Sequence, residues 1–476
     1  MSERRLLADR PSIGVDAPII TSETELKDKV ETPVVIVGGS LSGLVLSKAL
    51  SEHNIKHIVV EASKPNKSAS VHYLTSLSAA KELGLEDQYQ EQLSRRSAIT
   101  GYYRLDSTSQ QLTPLEKVEP DENRSGFVTF SLAELRDWLQ PEPDAIMLGT
   151  TIRSVTESPN GNWISETTNG KSISSQIVID TTGARAHIVN GAINSIDMKQ
   201  EVGQRVVRAC YGGIYPYQGP EDSLLFVDQF PITDPSLPRE GAGWVMPIGN
   251  GLAEVVVGWE TKLSDINKWR GPNTKILVEQ YIEWFNQRGI TIKYNDRLEV
   301  VSGFFSQELL DFQKIPTDKG IAVFGEALGL NHPLNGYLIK NISGYAQTMA
   351  KQISSFLNDR KWDPHNKLVG NSPINFGQQV ALSRKKMEAA QDGIGRSAAT
   401  RDLQEFLVKS IGYDGLWSAI DNGVPFAQLV KGLIQHPTYA TTIGTLGLDY
   451  AKILLNENLY RRELIQKLKS KILAKL

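Results

Sequence analysis

The sequence predicts an α/β chain in which a doubly wound parallel-sheet domain is interrupted by an antiparallel-sheet domain and followed by a helical region. Three observations predict it. Short runs of β-branched and apolar residues at Val34–Val37, Ile177–Ile179 and Ile321–Phe324 each lead into a glycine-bearing turn, as strands of a parallel sheet covered on both faces do. Between the second and third runs lie four strand-like segments, Val206–Tyr215, Leu224–Phe230, Gly243–Pro247 and Ala253–Thr261, a pattern suited to an antiparallel wall. Beyond Ile339 the periodicity is helical, with breaks near Pro364, Pro373 and Pro437.

The first run opens the most informative stretch, Pro33 to Glu61. The strand is followed by Gly38-Gly39-Ser40-Leu41-Ser42-Gly43, then by a helix over Leu41–Glu52 with Leu44, Val45, Ala49 and Leu50 apolar. His53-Asn54 ends the helix, and Ile58–Val60 forms a second strand with Glu61 at its tip. Such a Rossmann-like unit points backbone N–H groups and the positive end of a helix at a pyrophosphate. Glu61, eighteen residues after Gly43, is placed to accept hydrogen bonds from ribose hydroxyls. One position departs from G-x-G-x-x-G: Ser40 stands at its third position and the spare glycine is Gly39. A serine is small and its hydroxyl can donate to phosphate. A plain structural turn also uses glycine, but strand, turn, helix, strand and acid in this order favour dinucleotide binding.

Composition narrows the remaining classes. At 476 residues the chain is long enough for two or three domains, and 40% apolar content supplies their cores. A formal charge of −3 gives no overall field for nucleic acid. Cys210 is the only cysteine, which excludes an intrachain disulfide and a cysteine-based metal site and fits a reducing, cytoplasmic setting. No metal site is expected. His-Glu-x-x-His, Gly-x-Ser-x-Gly, the P-loop pattern and Trp-x-Trp are all absent. No apolar run is long enough to span a membrane. Residues 1–31 are too polar for a signal peptide and too acidic for a transit peptide, so they read as a leader or a strap over the first domain.

Along the chain, Tyr73, Leu74, Leu77, Ala80 and Leu83 set a helical period over 73–85, and 106–126 is loop-like. Phe127–Phe130 reads as a strand, and Ser-Leu-Ala-Glu from Ser131 as a capping box opening the helix Leu132–Leu139. Asn160-Gly161-Asn162 and Asn169-Gly170 mark hairpin turns within Met147–Ile179. A helix is expected over Thr274–Gln287. The resulting division is 1–31 leader, 32–185 and 295–355 discontinuous dinucleotide domain, 186–294 substrate sheet, and 356–476 helical region.

The strand–turn units together resemble those of FAD-binding flavoproteins, whose dinucleotide domain is interrupted by a substrate domain. Asp180-Thr-Thr-Gly183, Ala209-Cys-Tyr-Gly212, Leu225-Phe-Val-Asp228, Val245-Met-Pro247, Gly258-Trp-Glu-Thr261 and Phe324-Gly325 through His332-Pro-Leu-Asn-Gly-Tyr337 resemble, in order, segments of the lycopene cyclases. They are also similar to the related geranylgeranyl reductases and aromatic-hydroxylase-like flavoproteins. The resemblance implies FAD as cofactor, contacted through Asp180, Gly183, Gly325, Glu326, Pro333, Asn335 and Gly336 besides the first turn. Glu326 stands where many flavoproteins place an Asp that accepts from the ribityl chain, and His332 falls in a loop beside the isoalloxazine. The resemblance also implies Glu260 as an acid that could protonate an alkene, desolvated by Trp244 and Trp259. Asp228 is either a second acid or a solvated strand end, and Glu260 and His332 have equally plain structural readings. The family's first acid of the Glu-Glu pair is replaced by Trp259, and Ser68–Ser78 lacks the family's aromatic segment.

The expected function is therefore an FAD-dependent enzyme acting on a hydrophobic, isoprenoid or polyene-like small molecule, by cyclisation without net redox change. A monooxygenase or geranylgeranyl-type reductase is the close rival, and a pigment- or lipid-binding container is the third reading. No second Rossmann unit is evident, so NAD(P)H is expected only as a transient reductant. Arg461, Arg462, Lys467, Lys469, Lys471 and Lys475 accompany an apolar face at the C-terminus, which suits either peripheral contact with an anionic bilayer or packing on its own domain.

Overall fold

The computed structural model describes residues 29–63, 71–95, 99, 101–105, 126–139, 146–193, 198–231, 240–269, 272–306, 310, 315–331, 338–360, 406 and 426–439. A five-stranded parallel sheet forms one layer, in the order Ile321–Val323, Ile177–Asp180, Val34–Val37, His57–Val60, Ile146–Met147. Its three central strands are buried at every position, as their unbroken β-branched runs require.

The helix Leu41–Glu52 crosses from Val34–Val37 to His57–Val60, and Ile339–Asp359 packs on it and on the helix Leu77–Leu83. His57, at the base of its strand, is buried with Nδ1–H donating to Ile55 O at 2.8 Å. Its Nε2 lies 2.6 Å from Ser47 Oγ, the only proton source of that pair, and burial lowers its pKa. This neutral histidine ties the helix to its neighbouring strand.

A second sheet of four strands, Lys29–Glu31, Ser172–Ser175, Trp163–Thr167 and Ile152–Glu157, carries the two Asn-Gly hairpin turns. The expected leader therefore ends in a strand: Lys29–Glu31 pairs in parallel with Ser172–Ser175. Residues 1–28 lie outside the described residues.

The third sheet is the antiparallel wall. The 13-residue strand Val206–Gln218 pairs with Leu252–Lys262, which pairs with Glu240–Gly249 and then Ser223–Pro231. Two further strands join from outside the expected substrate segment. Gly101–Leu105 adds in parallel to Ser223–Pro231, and Glu299–Ser306 pairs with Val206–Gln218. The wall thus draws strands from both stretches assigned from sequence to the dinucleotide domain, because edge hydrogen bonding is decided by long-range pairing. The helix Pro272–Asn286 covers one face.

The stretch 73–85 is split. His72–Thr75 is a strand paired with Val128–Ser131, and Ser76 caps a helix over Leu77–Leu83 by accepting from Ala79 N–H. Pairing with the later strand overrides the helical period of Tyr73 and Leu74. The capping box at Ser131 is present with both of its hydrogen bonds, and opens Leu132–Trp138.

Candidate cofactor and active site

Three turns meet at the C-terminal edge of the parallel sheet, where this architecture binds nucleotides. Gly38 has φ +111, open to glycine alone without strain, and Thr181 Oγ1 donates to the carbonyls of Val37 and Gly38 at 2.9 and 2.8 Å. A Cβ on Gly43 would lie 1.9 Å from Gly38 O, so the helix starts against the turn only because residue 43 has no side chain. Ser40 sits at the N-cap with extended backbone and no side-chain cap bond. The first N–H of the helix to find a backbone partner is that of Leu44, which donates to Ser40 O at 3.0 Å. The preceding N–H groups of Leu41, Ser42 and Gly43 therefore project from the positive end of the helix.

The side chains nearby serve the scaffold. Leu41 is buried, and Ser42 Oγ faces the third turn, accepting from Glu326 N–H at 3.4 Å. Glu61 is buried at the strand tip, where Oε2 accepts from Gly39 N–H at 2.6 Å and Oε1 from Ser63 N–H at 2.7 Å. Each oxygen keeps a further acceptor position, so the carboxylate braces the turn while remaining able to accept from a sugar hydroxyl.

Asp180 has a different position from the cofactor contact expected of it. It is fully buried, with Oδ1 accepting from Thr182 N–H and Oγ1 at 3.0 and 2.6 Å, and Oδ2 from the N–H groups of Ile188 and Val189 at 2.8 and 3.2 Å. Burial raises its pKa against the opposing pull of these hydrogen bonds. Asp180 shapes the Gly183 turn rather than facing the cleft. Arg185, which closes the turn Gly183–Arg185, lies with its guanidinium 5.2 Å from the Phe304 ring centroid.

Glu326 carries the third turn. It faces Gly183, where a Cβ would lie 3.8 Å from Oε2, and its Oε1 is buried with no hydrogen-bond partner among the described residues. Burial pushes its pKa up to about 7, opposed by the Arg205 guanidinium and by backbone hydrogen bonds at Ser306 and Ala184. Arg205 itself staples the turns to the wall: Nη1 donates to Ala184 O and Ala327 O at 3.1 and 2.9 Å, and Nη2 to Ser306 Oγ at 2.8 Å.

The folded-state pKa of Glu326 exceeds the ordinary 4.5, so the stability it contributes is complete below about pH 4.5 and is lost as pH rises towards 7. In the cofactor-free protein the denaturation midpoint should fall across this interval, and Glu326→Gln should flatten the slope. An unchanged slope in the variant would assign it to other groups.

Across the cleft stands the antiparallel wall. Strand alternation and pairing put Cys210, Glu254, Val256, Trp244 and Met246 on one face, with Trp259 on the other. That second face is the one covered by the helix Pro272–Asn286, since a Cβ on Gly243 would meet Tyr281. Trp244 and Trp259 therefore cannot jointly desolvate an acid at 260. The backbone of Glu260 lies opposite Arg208, and Asp228 falls at an irregularity in its strand; both side chains lie outside the described residues. So do His332, Pro333, Asn335 and Gly336, and the C-terminal basic stretch. The approaches to 332–337 are anchored by Asn331 Nδ2 donating to Ser306 O at 3.0 Å and Asn341 Nδ2 to Leu330 O at 2.7 Å.

Tyr73, Cys210 and Glu326 keep accessible surface although they lie deep among protein atoms, as the walls of an internal cavity do. Burial raises the pKa of Tyr73, and pushes that of Cys210 up to about 12, so the thiol is protonated at neutral pH. Glu326 and Glu254 both add to these shifts. Glu254 was not singled out from sequence. It is 2% exposed, with Oε2 accepting from the His72 backbone N–H at 3.0 Å and from His72 Nδ1 at 3.2 Å. A lone acid within the otherwise apolar run Ala253-Glu-Val-Val-Val257 was the available signal, because a buried carboxylate needs a partner.

The residues fit a flavin dinucleotide. The open helix N-terminus receives a pyrophosphate, Glu61 can take ribose hydroxyls, and the orphan Oε1 of Glu326 awaits a donor. When bound, FAD supplies hydride or oxygen-activating chemistry. Among the described residues no cluster of His, Cys, Asp or Glu could hold a metal, and no helix is long and apolar enough to cross a membrane.

Comparison with known proteins agrees with this geometry. The family model for the FAD binding domain matches residues 31–185. No curated protein matches the chain. Among solved structures, a geranylgeranyl bacteriochlorophyll reductase-like protein of Thermoplasma acidophilum superposes with TM-score 0.60 at 15% identity, covering 88% of this chain and 100% of the other. The pqsL protein of Pseudomonas aeruginosa, a probable FAD-dependent monooxygenase, gives 0.52 at 14% identity, with 78% and 100% covered. A flavoprotein/dehydrogenase of Cytophaga hutchinsonii gives 0.52 at 12%, with 86% and 100% covered. At such identities these likenesses speak for the fold. Residues 31–185 are an FAD-binding domain, and the chain has the fold of FAD-dependent oxidoreductases.

Proposed function

We propose that the protein oxidises or reduces a hydrophobic small molecule held between the glycine turns and the antiparallel wall, as a monooxygenase or a geranylgeranyl-type reductase. The observation carrying this reading is the set of half-buried side chains between the turns and the wall: Tyr73, Trp244 and Cys210 are apolar or aromatic, with Glu326 as the acid among them and Glu254 buried behind. Such a cavity excludes water from the reacting centre and selects an apolar substrate with few polar groups. The likeness to a reductase-like protein and to a probable monooxygenase supports the same class. Lacking an evident second nucleotide domain, the chain receives electrons from NAD(P)H as a transient visitor or from a separate donor.

Lycopene-cyclase-like cyclisation without net redox change is the second reading. It is favoured by Glu326, a cavity carboxyl whose protonated form persists to about pH 7 and which could deliver a proton. Incubating the FAD-loaded protein with isoprenoid, polyene and aromatic substrates, with NADPH under air and under anaerobic reductant, separates the two by mass. A gain of oxygen or hydrogen supports redox chemistry, and an isomer of the substrate supports cyclisation. No product under any condition would sink both and leave a binding role. Attachment to anionic vesicles through Arg461–Leu476 suits a lipid-borne substrate.

A further inference from the structure

The glycine turn at 325 puts a carboxyl beside the place assigned to the pyrophosphate. Glu326 N lies 3.4 Å from Ser42 Oγ, and a Cβ on Gly325 would collide with that same hydroxyl. Ser42 is the second residue of the helix Leu41–Glu52, whose free N–H groups form the phosphate cradle. Glu326 keeps some accessible surface, yet its Oε1 is buried with no hydrogen-bond partner among the described residues. Arg205 directs its Nη1 at Ala184 O and Ala327 O and its Nη2 at Ser306 Oγ, and acts on Glu326 through its charge. That charge and the backbone hydrogen bonds at Ser306 and Ala184 are together outweighed by burial.

A carboxyl in that position meets opposing demands when FAD enters. A ribityl hydroxyl can donate to it, which favours the carboxylate. Against this, the pyrophosphate brings two negative charges to the neighbouring helix start and the cofactor displaces water, and both favour the neutral acid. Two backbone hydrogen bonds and a guanidinium do not return the empty site to the ordinary carboxylate range, so one further hydroxyl does not outweigh two like charges. The neutral form also serves the ligand in both senses: it has an O–H to donate and keeps an acceptor oxygen for a ribityl hydroxyl. The last torsion of a glutamate is broad and roughly two-fold, so either oxygen can be turned to that task.

We propose that FAD is bound with Glu326 neutral, the carboxyl taking a proton from solvent as the cofactor enters, so that the site holds FAD most tightly below neutrality and loosens above it. An O–H bond forms on the carboxylate, and nothing is oxidised or reduced. Below the pKa of the empty site, about 7, the acid is already neutral and binding needs no proton. Above it, each pH unit should weaken binding about tenfold until the pKa of the bound form is reached. The groups facing Glu326 are Arg205 before the wall, Cys210 on Val206–Gln218 and Tyr73 on His72–Thr75. Burial keeps Cys210 and Tyr73 protonated through neutrality, Arg205 stays charged, and oxidised FAD keeps one charge state there. From the adjoining turn come Asp180, closed by its own four hydrogen bonds, and Arg185, over Phe304. The inference rests on the FAD assignment of this cleft.

The measurement is the dissociation constant of FAD across pH, by fluorescence quenching on the full-length protein freed of flavin. The wild type should bind about tenfold more weakly at about pH 8 than at about pH 6. Calorimetry at about pH 8, in two buffers of different ionisation heat, should show about one proton taken up per FAD. Glu326→Gln keeps the shape of the neutral acid, so its affinity should match that of the wild type in mild acid and stay flat with pH. Glu326→Ala removes the group and should bind more weakly, equally without slope. An affinity that is flat or rises with pH in the wild type, proton release on binding, or a slope surviving in either variant would overturn the proposal. FAD failing to bind at any pH would overturn the cofactor assignment along with it.

Discussion

Gly43→Ala should purify without bound flavin and unfold at markedly lower denaturant than the wild type. The added Cβ would lie 1.9 Å from Gly38 O and 3.1 Å from Thr181 Oγ1. The first contact is with backbone, so no rotamer change relieves it. The helix start has to retreat by roughly an ångström, and it is tied there by Leu44 N–H to Ser40 O and by a buried face that includes Leu44, Leu46 and Leu50. Overpacking of this kind costs about 3 kcal/mol. The same retreat withdraws the N–H groups of Leu41 and Ser42 from the place a pyrophosphate needs, and misplacement on that scale weakens function on the order of 100-fold. FAD titration by fluorescence quenching and a denaturation curve check both effects. Full flavin retention in this variant would mean that the turn is not the phosphate site.

Asp180→Asn should destabilise the protein by roughly 3 kcal/mol and lower flavin affinity indirectly. The carboxylate accepts four hydrogen bonds and is fully buried. Asparagine keeps one oxygen, which can serve Thr182, but turns an NH₂ towards the N–H groups of Ile188 and Val189. Two buried donors then lose their acceptor and face a third. The 3₁₀ turn Gly183–Arg185 and the π-helical turn Ile188–Ala192 are therefore expected to loosen together, and hydrogen exchange at 182–192 should rise. Wild-type protection in that segment would contradict the role assigned to Asp180.

Local chemistry made much of the fold readable. The strand–turn–helix–strand unit at 33–61, the capping box at Ser131 and the Asn-Gly turns at 161 and 170 all form from residues close in sequence. The wall strands between 206 and 262 were equally plain, since their alternation and turn residues are local. Long-range pairings were not: Tyr73 and Leu74 fit a helical period until Phe130 and Thr129 pair with them across the chain. The same holds for Gly101–Leu105 and Glu299–Ser306, which join the wall against the domain division read from sequence.

At the site, glycine spacing located the turns, but not the use of each side chain. Asp180 resembles a cofactor contact in sequence, yet its donors come from residues two to nine positions later, visible only once the chain folds back. Glu254 carries a signal only in its apolar setting between Ala253 and Val255–Val257, whereas Glu260 stands at a strand end, where an acid is unexceptional. The sequence reading sets both Trp244 and Trp259 beside an acid at 260, and strand alternation separates the two tryptophans onto opposite faces.

Diffraction from crystals of the protein grown with FAD tests the central claim most directly. The pyrophosphate should lie within hydrogen-bond reach of the N–H groups of Leu41 and Ser42, with the adenosine ribose at Glu61 and the ribityl chain at Glu326. Density for the dinucleotide at any other edge of the parallel sheet, with those N–H groups turned to water, would contradict it.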